Sequence, residues 1–235
     1  MGRRPIGRKA MTDAQRQKRA RVKKKRAATG GEKRERRATR MTAMALRTEQ
    51  ARLTLQTMTA IYNVIVIDPP WSFGVRSRLT GLDRSHENHY DSMSLAEIEA
   101  LRIPAAPDCA LCLWATVPHM AAAYRLLDAW GFDYVTTITW NKRTADMSKV
   151  KRGLGYVARN TTEHLIVGKR GNPPWAIPGE QWDSGFDAPA RGHSVKPNEP
   201  YAFLAEQFAG VPKLEMFARI PREGFDVWGN EAPPA

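Results

Sequence analysis

The chain has 235 residues, 42% of them hydrophobic, enough for one domain with a real core or one domain plus an appendage. Its net charge of +13 is uneven: residues 1–40 hold 17 Lys or Arg against 3 acidic residues, and the remainder sums to −1. No apolar stretch reaches the roughly 18 residues of a membrane span, and no apolar segment follows the basic N-terminus, so neither a membrane anchor nor a secretory signal is expected. Residues 1–11 carry Gly2, Pro5 and Gly7 and are expected to lack regular structure. Thr12-Asp-Ala-Gln15 is a candidate capping box. The helix it would open, over residues 13–27, carries Arg16, Lys18, Arg19, Arg21, Lys23, Lys24, Lys25 and Arg26 and almost no apolar face. It is expected to order only against a charged surface. After Gly30-Gly31, a second helical stretch over about residues 32–56 gains Met41, Met44, Leu46, Leu53 and Leu55, a face that can dock on a body. Residues 1–56 therefore read as a basic arm suited to a polyanion, with nucleic acid the first candidate and a solubilising tail the alternative.

The body, over residues 57–235, alternates strands with helices and predicts a mainly parallel α/β sheet. Tyr62-Asn-Val-Ile-Val-Ile67 is short, continuous and β-branched, the pattern of a buried strand. A polar loop follows over residues 72–92, then a short helix over 95–101. Further strands are expected over 110–115, 133–140, 163–167, 213–219 and 225–228. Helices are expected over 118–130 and 198–208, the first with Pro118 near its start and Gly131 at its stop. Residues 141–160 and 168–192 read as loops. Cys109 and Cys112 have the spacing of a redox or metal half-site, but no second pair completes one, and Cys112 sits inside an apolar run, so Cys112 is expected as a small core residue and both thiols as reduced. His86 and His89 likewise lack a further ligand, and no metal is expected.

Asp68-Pro-Pro-Trp71 stands at the carboxyl end of the first strand, the edge where open α/β sheets bind ligands. Its parts suit methylation of an exocyclic adenine amine, whose lone pair is delocalised into the ring. Two acceptors on the two amine hydrogens can draw the nitrogen toward tetrahedral geometry. The Asp68 carboxylate can be one, and the Pro69 carbonyl the other, held by the restricted φ of Pro69 and Pro70. Trp71 can stack on the base. The work is positioning and electrostatics. A plain strand-ending turn with a core Trp is the alternative for these four residues alone.

More of the chain matches a known pattern. Tyr90-Asp-Ser-Met-Ser94, Leu113-Trp-Ala-Thr116, Glu163-His-Leu-Ile-Val-Gly-Lys-Arg-Gly-Asn-Pro173, His193-Ser-Val-Lys-Pro197, and Lys213-Leu-Glu-Met-Phe-Ala-Arg219 with Gly229-Asn230 follow in order. Together with Asp68-Pro-Pro-Trp71 this resembles the MT-A70 family of adenine-N6 methyltransferases over about residues 61–231. The resemblance implies a Rossmann-like S-adenosylmethionine-dependent methyltransferase fold, permuted so that the catalytic motif precedes the donor-binding strand. It implies S-adenosylmethionine as cofactor, held by Asp68, Lys196, Glu215, Phe217, Arg219, Asn230 and Glu231. Lys196 suits the donor's carboxylate as a point cation, and Arg219 and Asn230 suit its ribose or adenine. Pro221-Arg222-Glu223 departs from the family's His-Asn pair, which leaves the ribose contacts open.

Loops on either side of such a site hold substrate. Arg76, Arg84, His86 and Tyr90 on one side, and Lys151, Arg152, Arg159, Asn160 and His193 on the other, are the candidates beside the arm. The resemblance points to DNA ahead of RNA, to the cytoplasm of a bacterial cell or phage-infected host, and to a homodimer as one arrangement that would complete a nucleic-acid groove. The competing classes are an RNA adenine methyltransferase, an inactive nucleic-acid-binding partner, against which the intact Asp and Trp speak, and a protein-amide methyltransferase, whose motif is Asn-Pro-Pro-Tyr.

Overall fold

The computed structural model describes residues 21, 35, 38–39, 42–43, 45–51, 53–72, 92–155, 157–175, 181–191 and 195–230. Contacts divide the chain into residues 1–46 and a compact body from Arg47 onward. The body thus takes in ten residues ahead of position 57. Leu55 is buried in its core, the Trp228 indole donates to the Ala51 carbonyl over 2.9 Å, and Arg102 donates to the Met58 carbonyl over 2.7 Å.

Seven strands form one sheet: β1 (Tyr62–Ile67), β2 (Ala105–Ala115), β3 (Asp133–Arg143), β4 (Thr162–Arg170), β5 (Gly185–Pro189), β6 (Lys213–Met216) and β7 (Asp226–Trp228), in the order β5-β3-β4-β2-β1-β6-β7. β1 pairs in parallel with β2 and β6, β6 with β7, and β3 with β5. β4 runs antiparallel to both β2 and β3. The sheet is therefore mainly parallel with one reversed strand, a Rossmann-like arrangement. Among the described residues, no helix is long and apolar enough to cross a membrane.

Strand periodicity divides the core. Ile65 and Ile67 face one cluster with Leu111, Leu113 and Ala115, while Val64 and Val66 face the other with Ala110, Cys112 and Trp114. Cys109 and Cys112, three apart on β2, fall on opposite faces and are both free and buried. Burial pushes each thiol up to about 12.

The helices that follow β1 among the described residues are α1 (Leu95–Glu99), α2 (Met120–Ala129, led by a 3-10 turn at Val117–His119) and α3 (Glu199–Gln207). Ser94 and Glu97 close a capping box on α1. Gly131, at φ +70, ends α2 as its sequence position predicts.

Several boundaries moved. β2 begins at Ala105 rather than 110, and its first half was hidden by Pro107 and Asp108. β3 and β4 run on to Arg143 and Arg170. β5 lies inside the stretch 168–192 read as loop, since Gly185, Asp187 and Pro189 carry no strand signal and the hydrogen bonds come from β3. The strand expected over 213–219 stops at Met216, because Phe217 turns to φ +64. The capping box at Thr12–Gln15 and most of the loop at 72–92 lie outside the described residues.

Candidate active site

Asp68 leaves the C-terminal end of β1, at the edge where the parallel strands β2 and β6 also end. The Trp71 amide donates to the Pro69 carbonyl over 2.8 Å, and the Met93 amide to the Pro70 carbonyl over 2.9 Å. The first bond closes a three-residue turn that the fixed φ of Pro70 suits, and leaves the Pro69 carbonyl a second lone pair. Trp71 is buried. Its Nε1 donates to the Trp114 carbonyl over 3.1 Å, and its ring stacks on His119 with centroids 4.8 Å apart. His119 Nδ1 lies 2.8 Å from Thr116 Oγ1, and burial holds the imidazole below its ordinary pKa. One face of the Trp71 indole, read from the sequence as a platform for a base, is thus taken by the protein itself.

Three side chains of alternating charge stand behind Asp68. Lys196 Nζ donates to Asp68 Oδ2 over 2.7 Å and lies 3.3 Å from Glu163 Oε2. Lys142 Nζ donates to Glu163 Oε1. The Lys196, Asp68 and Glu163 side chains are 6%, 13% and 11% exposed, so none of these charges is solvated well enough to stand alone. Burial pushes the Asp68 carboxyl above the usual carboxylate range, against the pull of Lys196. Burial also disfavours charge on Lys196, but Asp68 and Glu163 together hold its ammonium above the ordinary value. Burial opposes ionisation of Glu163, yet Lys196 and Lys142 hold it below the ordinary value.

A second cluster adjoins the first through Arg222. Its Nη2 donates to the Lys196 carbonyl over 3.1 Å and its Nη1 to Asn198 Oδ1 over 2.6 Å. Its guanidinium lies 3.5 Å from the Tyr201 ring centre. Tyr201 donates to Glu215 Oε1 over 2.6 Å. Arg222 Nε sits 3.3 Å from Glu215 Oε2 as an ion pair without hydrogen-bond geometry, so both buried atoms still lack a hydrogen-bond partner. Burial pushes Glu215 and Tyr201 up. Both clusters border one pocket, lined by Asp68, Lys196, Glu215, Phe217, Arg219 and Arg222 with Val195 and Ile220. Phe217 carries the strain of a left-handed backbone at its rim. Its amide donates to the Trp228 carbonyl over 2.5 Å, and its ring meets the Trp228 ring edge to face at 5.0 Å. The close approach needs Gly229, at φ +149, where a Cβ would lie 2.8 Å from Phe217 Cα.

Of the residues singled out from the sequence, Asp68, Lys196, Glu215, Phe217 and Arg219 therefore border one pocket. Asn230 is turned elsewhere: its Nδ2 donates to Thr48 Oγ1 over 3.1 Å. Arg21, Lys151, Arg152 and Arg159 are exposed, and Asn160 is half-buried. Arg16, Lys18, Arg19, Lys23, Lys24, Lys25, Arg26, Arg76, Arg84, His86, Tyr90, His193 and Glu231 lie outside the described residues. Sequence reasoning missed Lys142, Glu163, His119, Tyr201 and Arg222. Glu163 opens a recognised stretch, and Arg222 stands within a departure from the family pattern; each offered a signal. Lys142, His119 and Tyr201 offered none.

A family model described as MT-A70 matches residues 62–231. A type II methyltransferase of Mycoplasma sp, M.MunI, is 30% identical over 189 residues, covering 73% of this chain and 78% of that protein. The Drosophila melanogaster N(6)-adenosine-methyltransferase MT-A70-like protein is 31% identical over 160 residues, and the human N(6)-adenosine-methyltransferase catalytic subunit METTL3 is 29% identical over 165. Each match covers 67% of this chain but only 24% and 26% of those longer proteins.

Proposed function

This chain belongs to the MT-A70 family of adenine-N6 methyltransferases, and on that premise we propose that it transfers a methyl group from S-adenosylmethionine to the N6 amine of adenine in DNA. The observation that carries this reading is the buried Asp68–Lys196 pair at the ligand-binding edge of the sheet, at the head of an intact Asp-Pro-Pro-Trp turn. Ionised Asp68 accepts one amine hydrogen and the free lone pair of the Pro69 carbonyl the other, which releases the nitrogen lone pair for attack. Burial makes Asp68 the stronger base and fits it to take the proton that the methylated amine sheds. Trp71, fixed at Nε1 and on its His119 face, holds the base side of the site rigid.

The residues that line the pocket suit the donor. A lysine ammonium has three N–H donors, and Asp68 and Glu163 engage two of those of Lys196. The third serves a carboxylate. Glu215 Oε2 and Arg222 Nε are buried without hydrogen-bond partners, and Phe217 supplies an aromatic surface. When bound, S-adenosylmethionine supplies an electrophilic methyl on a positively charged sulfur that is already a good leaving group. DNA is favoured over RNA by the relative named a type II methyltransferase, most of whose length this chain spans. The basic N-terminal arm serves as the polyanion anchor, in a cytoplasmic enzyme that works alone or as a homodimer.

The test is transfer of labelled methyl from S-adenosylmethionine to matched DNA and RNA oligonucleotides, single- and double-stranded, with nucleosides resolved by mass spectrometry. N6-methyladenine in DNA is the expected product. The same product in RNA alone would replace the polymer, and no product with any polymer would overturn the reading.

A further inference from the structure

The connection between β3 and β4 ends in an apolar tip on a basic mount. Leu154 is 81% and Val157 94% exposed, so both hold apolar surface in water that contact with an apolar partner would cover. Lys149, Lys151, Arg152 and Arg159 flank them, all exposed, against the single carboxylate of Asp146.

The mount is well held. The Lys142 amide donates to the Thr161 carbonyl over 2.9 Å, while the Lys142 carbonyl accepts from the Lys151 amide over 2.8 Å. These two bonds pinch the connection into a neck at Lys142. Beyond the neck, the Gly153 amide donates to the Asn160 carbonyl over 2.7 Å and the Asn160 amide to the Leu154 carbonyl over 3.2 Å. The tip turns so tightly that a Cβ on Gly155 would lie 1.8 Å from the Ala158 carbonyl oxygen.

Location ties the tip to the chemistry. Because β4 is reversed, its start and the end of β3 lie at the same sheet edge as Asp68. The neck residue Lys142 reaches Asp68 through Glu163 and Lys196. An adenine amine inside a duplex is out of reach of that carboxylate until the base leaves the stack. Proteins that open a base step commonly do so with exposed apolar side chains set among cations that hold the backbone phosphates.

We propose that Leu154 and Val157 form a wedge that enters the base stack of double-stranded DNA, with Lys149, Lys151, Arg152 and Arg159 holding the phosphates on either side, so that the target adenine is freed toward Asp68. This rests on the nucleic-acid reading of the site. A duplex is favoured over a protein partner by the charge: four cations around two apolar side chains match a polyanion with an apolar interior.

The test uses the full chain and the double variant Leu154→Ala, Val157→Ala. Both side chains are exposed, so truncation leaves the fold in place, and a Leu154→Met, Val157→Ile chain controls for it by keeping an apolar tip. One readout is methyl transfer to unmethylated plasmid DNA, duplex or heat-denatured. The other is ligation of nicked plasmid in the presence of protein, where insertion into the stack unwinds the helix and shifts the linking number without any methyl transfer. The double variant is expected to lose about tenfold in transfer to duplex, about twofold at most to single strands, and most of the linking shift. The Met/Ile chain keeps all three. Equal losses on both forms of DNA, or an unchanged linking shift, would overturn the wedge. A change of oligomeric state by light scattering would also overturn it, in favour of a protein–protein contact. A wild-type chain that unwinds plasmid but methylates nothing would sink the proposed activity and leave the wedge standing.

Discussion

Replacing Lys196 with Met tests the centre of the site, because length and packing are nearly kept while the charge is lost. Lys196 donates directly to Asp68, and Glu163 keeps Lys142 when Lys196 is gone. The variant therefore leaves one carboxylate, Asp68, buried and without its direct partner. Breaking a buried pair by removing one member costs about 3–5 kcal/mol. At about 2–4 °C per kcal/mol for a chain of this size, the melting temperature should fall by on the order of 10 °C near neutral pH.

The pH dependence carries the sharper test. Burial raises the Asp68 pKa even beside Lys196, and without the ammonium the weaker pull of Arg219 is left to oppose that rise. A carboxyl whose folded pKa lies above its unfolded value destabilises the fold once pH exceeds the unfolded value, and the loss is relieved as pH falls through the folded pKa. Thermal melts from pH 8 down to pH 5 should therefore show Lys196→Met recovering stability relative to the wild type as acid is added. The double variant Asp68→Asn, Lys196→Met removes the stranded charge and should regain more than half of the lost stability. A single variant that melts with the wild type at every pH, or a double variant that is no better than the single, would refute the account of a charge-paired centre.

Other expectations follow from the same geometry. Asp68→Asn should abolish methyl transfer while circular dichroism and melting stay close to wild type, since Lys196 keeps Glu163; the acid limb of the wild-type kcat/KM profile should lie above the ordinary carboxylate range, because burial raises Asp68, which must be ionised to act. Trp71→Phe leaves the Trp114 carbonyl without its indole donor, and should cost about 1–3 kcal/mol in a denaturant melt and lower kcat more than it raises KM. Gly229→Ala presses a methyl onto Phe217 Cα and should weaken S-adenosylmethionine binding by calorimetry, by about tenfold for each 1.4 kcal/mol of forced displacement, with adenine chemistry at saturating donor less affected. Deleting residues 1–40 removes 17 cations and should weaken binding to DNA and flatten its dependence on salt concentration, read as the slope of log Kobs against log salt; an unchanged slope would assign the arm another task.

What could be read from the sequence was what local chemistry dictates. The β-branched run Tyr62–Ile67 and the acid and prolines after it placed a rigid carboxylate at a strand end, and the structure puts Asp68 there. The Gly131 stop marks a real helix end, while the Ser94/Glu97 capping box is seen in the structure alone. The absence of a second cysteine pair spoke against a metal site at Cys109 and Cys112, and the structure adds that residues three apart on β2 fall on opposite faces of the sheet. β5 escaped because its residues have no strand character of their own; it exists as a strand through its hydrogen bonds to β3.

Strand direction is the deeper reason that half the site went unseen. Hydrophobic periodicity shows that residues 163–167 form a strand but is the same whichever way that strand runs. Run in parallel, β4 would carry Glu163 to the far edge of the sheet. Reversed between β2 and β3, it brings Glu163 to the edge that holds Asp68, beside Lys142 at the end of β3. Lys196, from a segment 128 residues beyond Asp68, then bridges the two carboxylates. Direction is decided by which connections can close, a property of the whole chain and not of any window in it. The charges show why this arrangement holds. A buried carboxylate poised to accept an amine hydrogen needs a cation, and that cation needs a second carboxylate to stay charged in a dry site. Glu163 in turn needs Lys142. The Asp-Pro-Pro-Trp motif occupies four residues, but the ionisation of its first residue depends on β1, β3 and β4 and on the connection between β5 and α3 that carries Lys196.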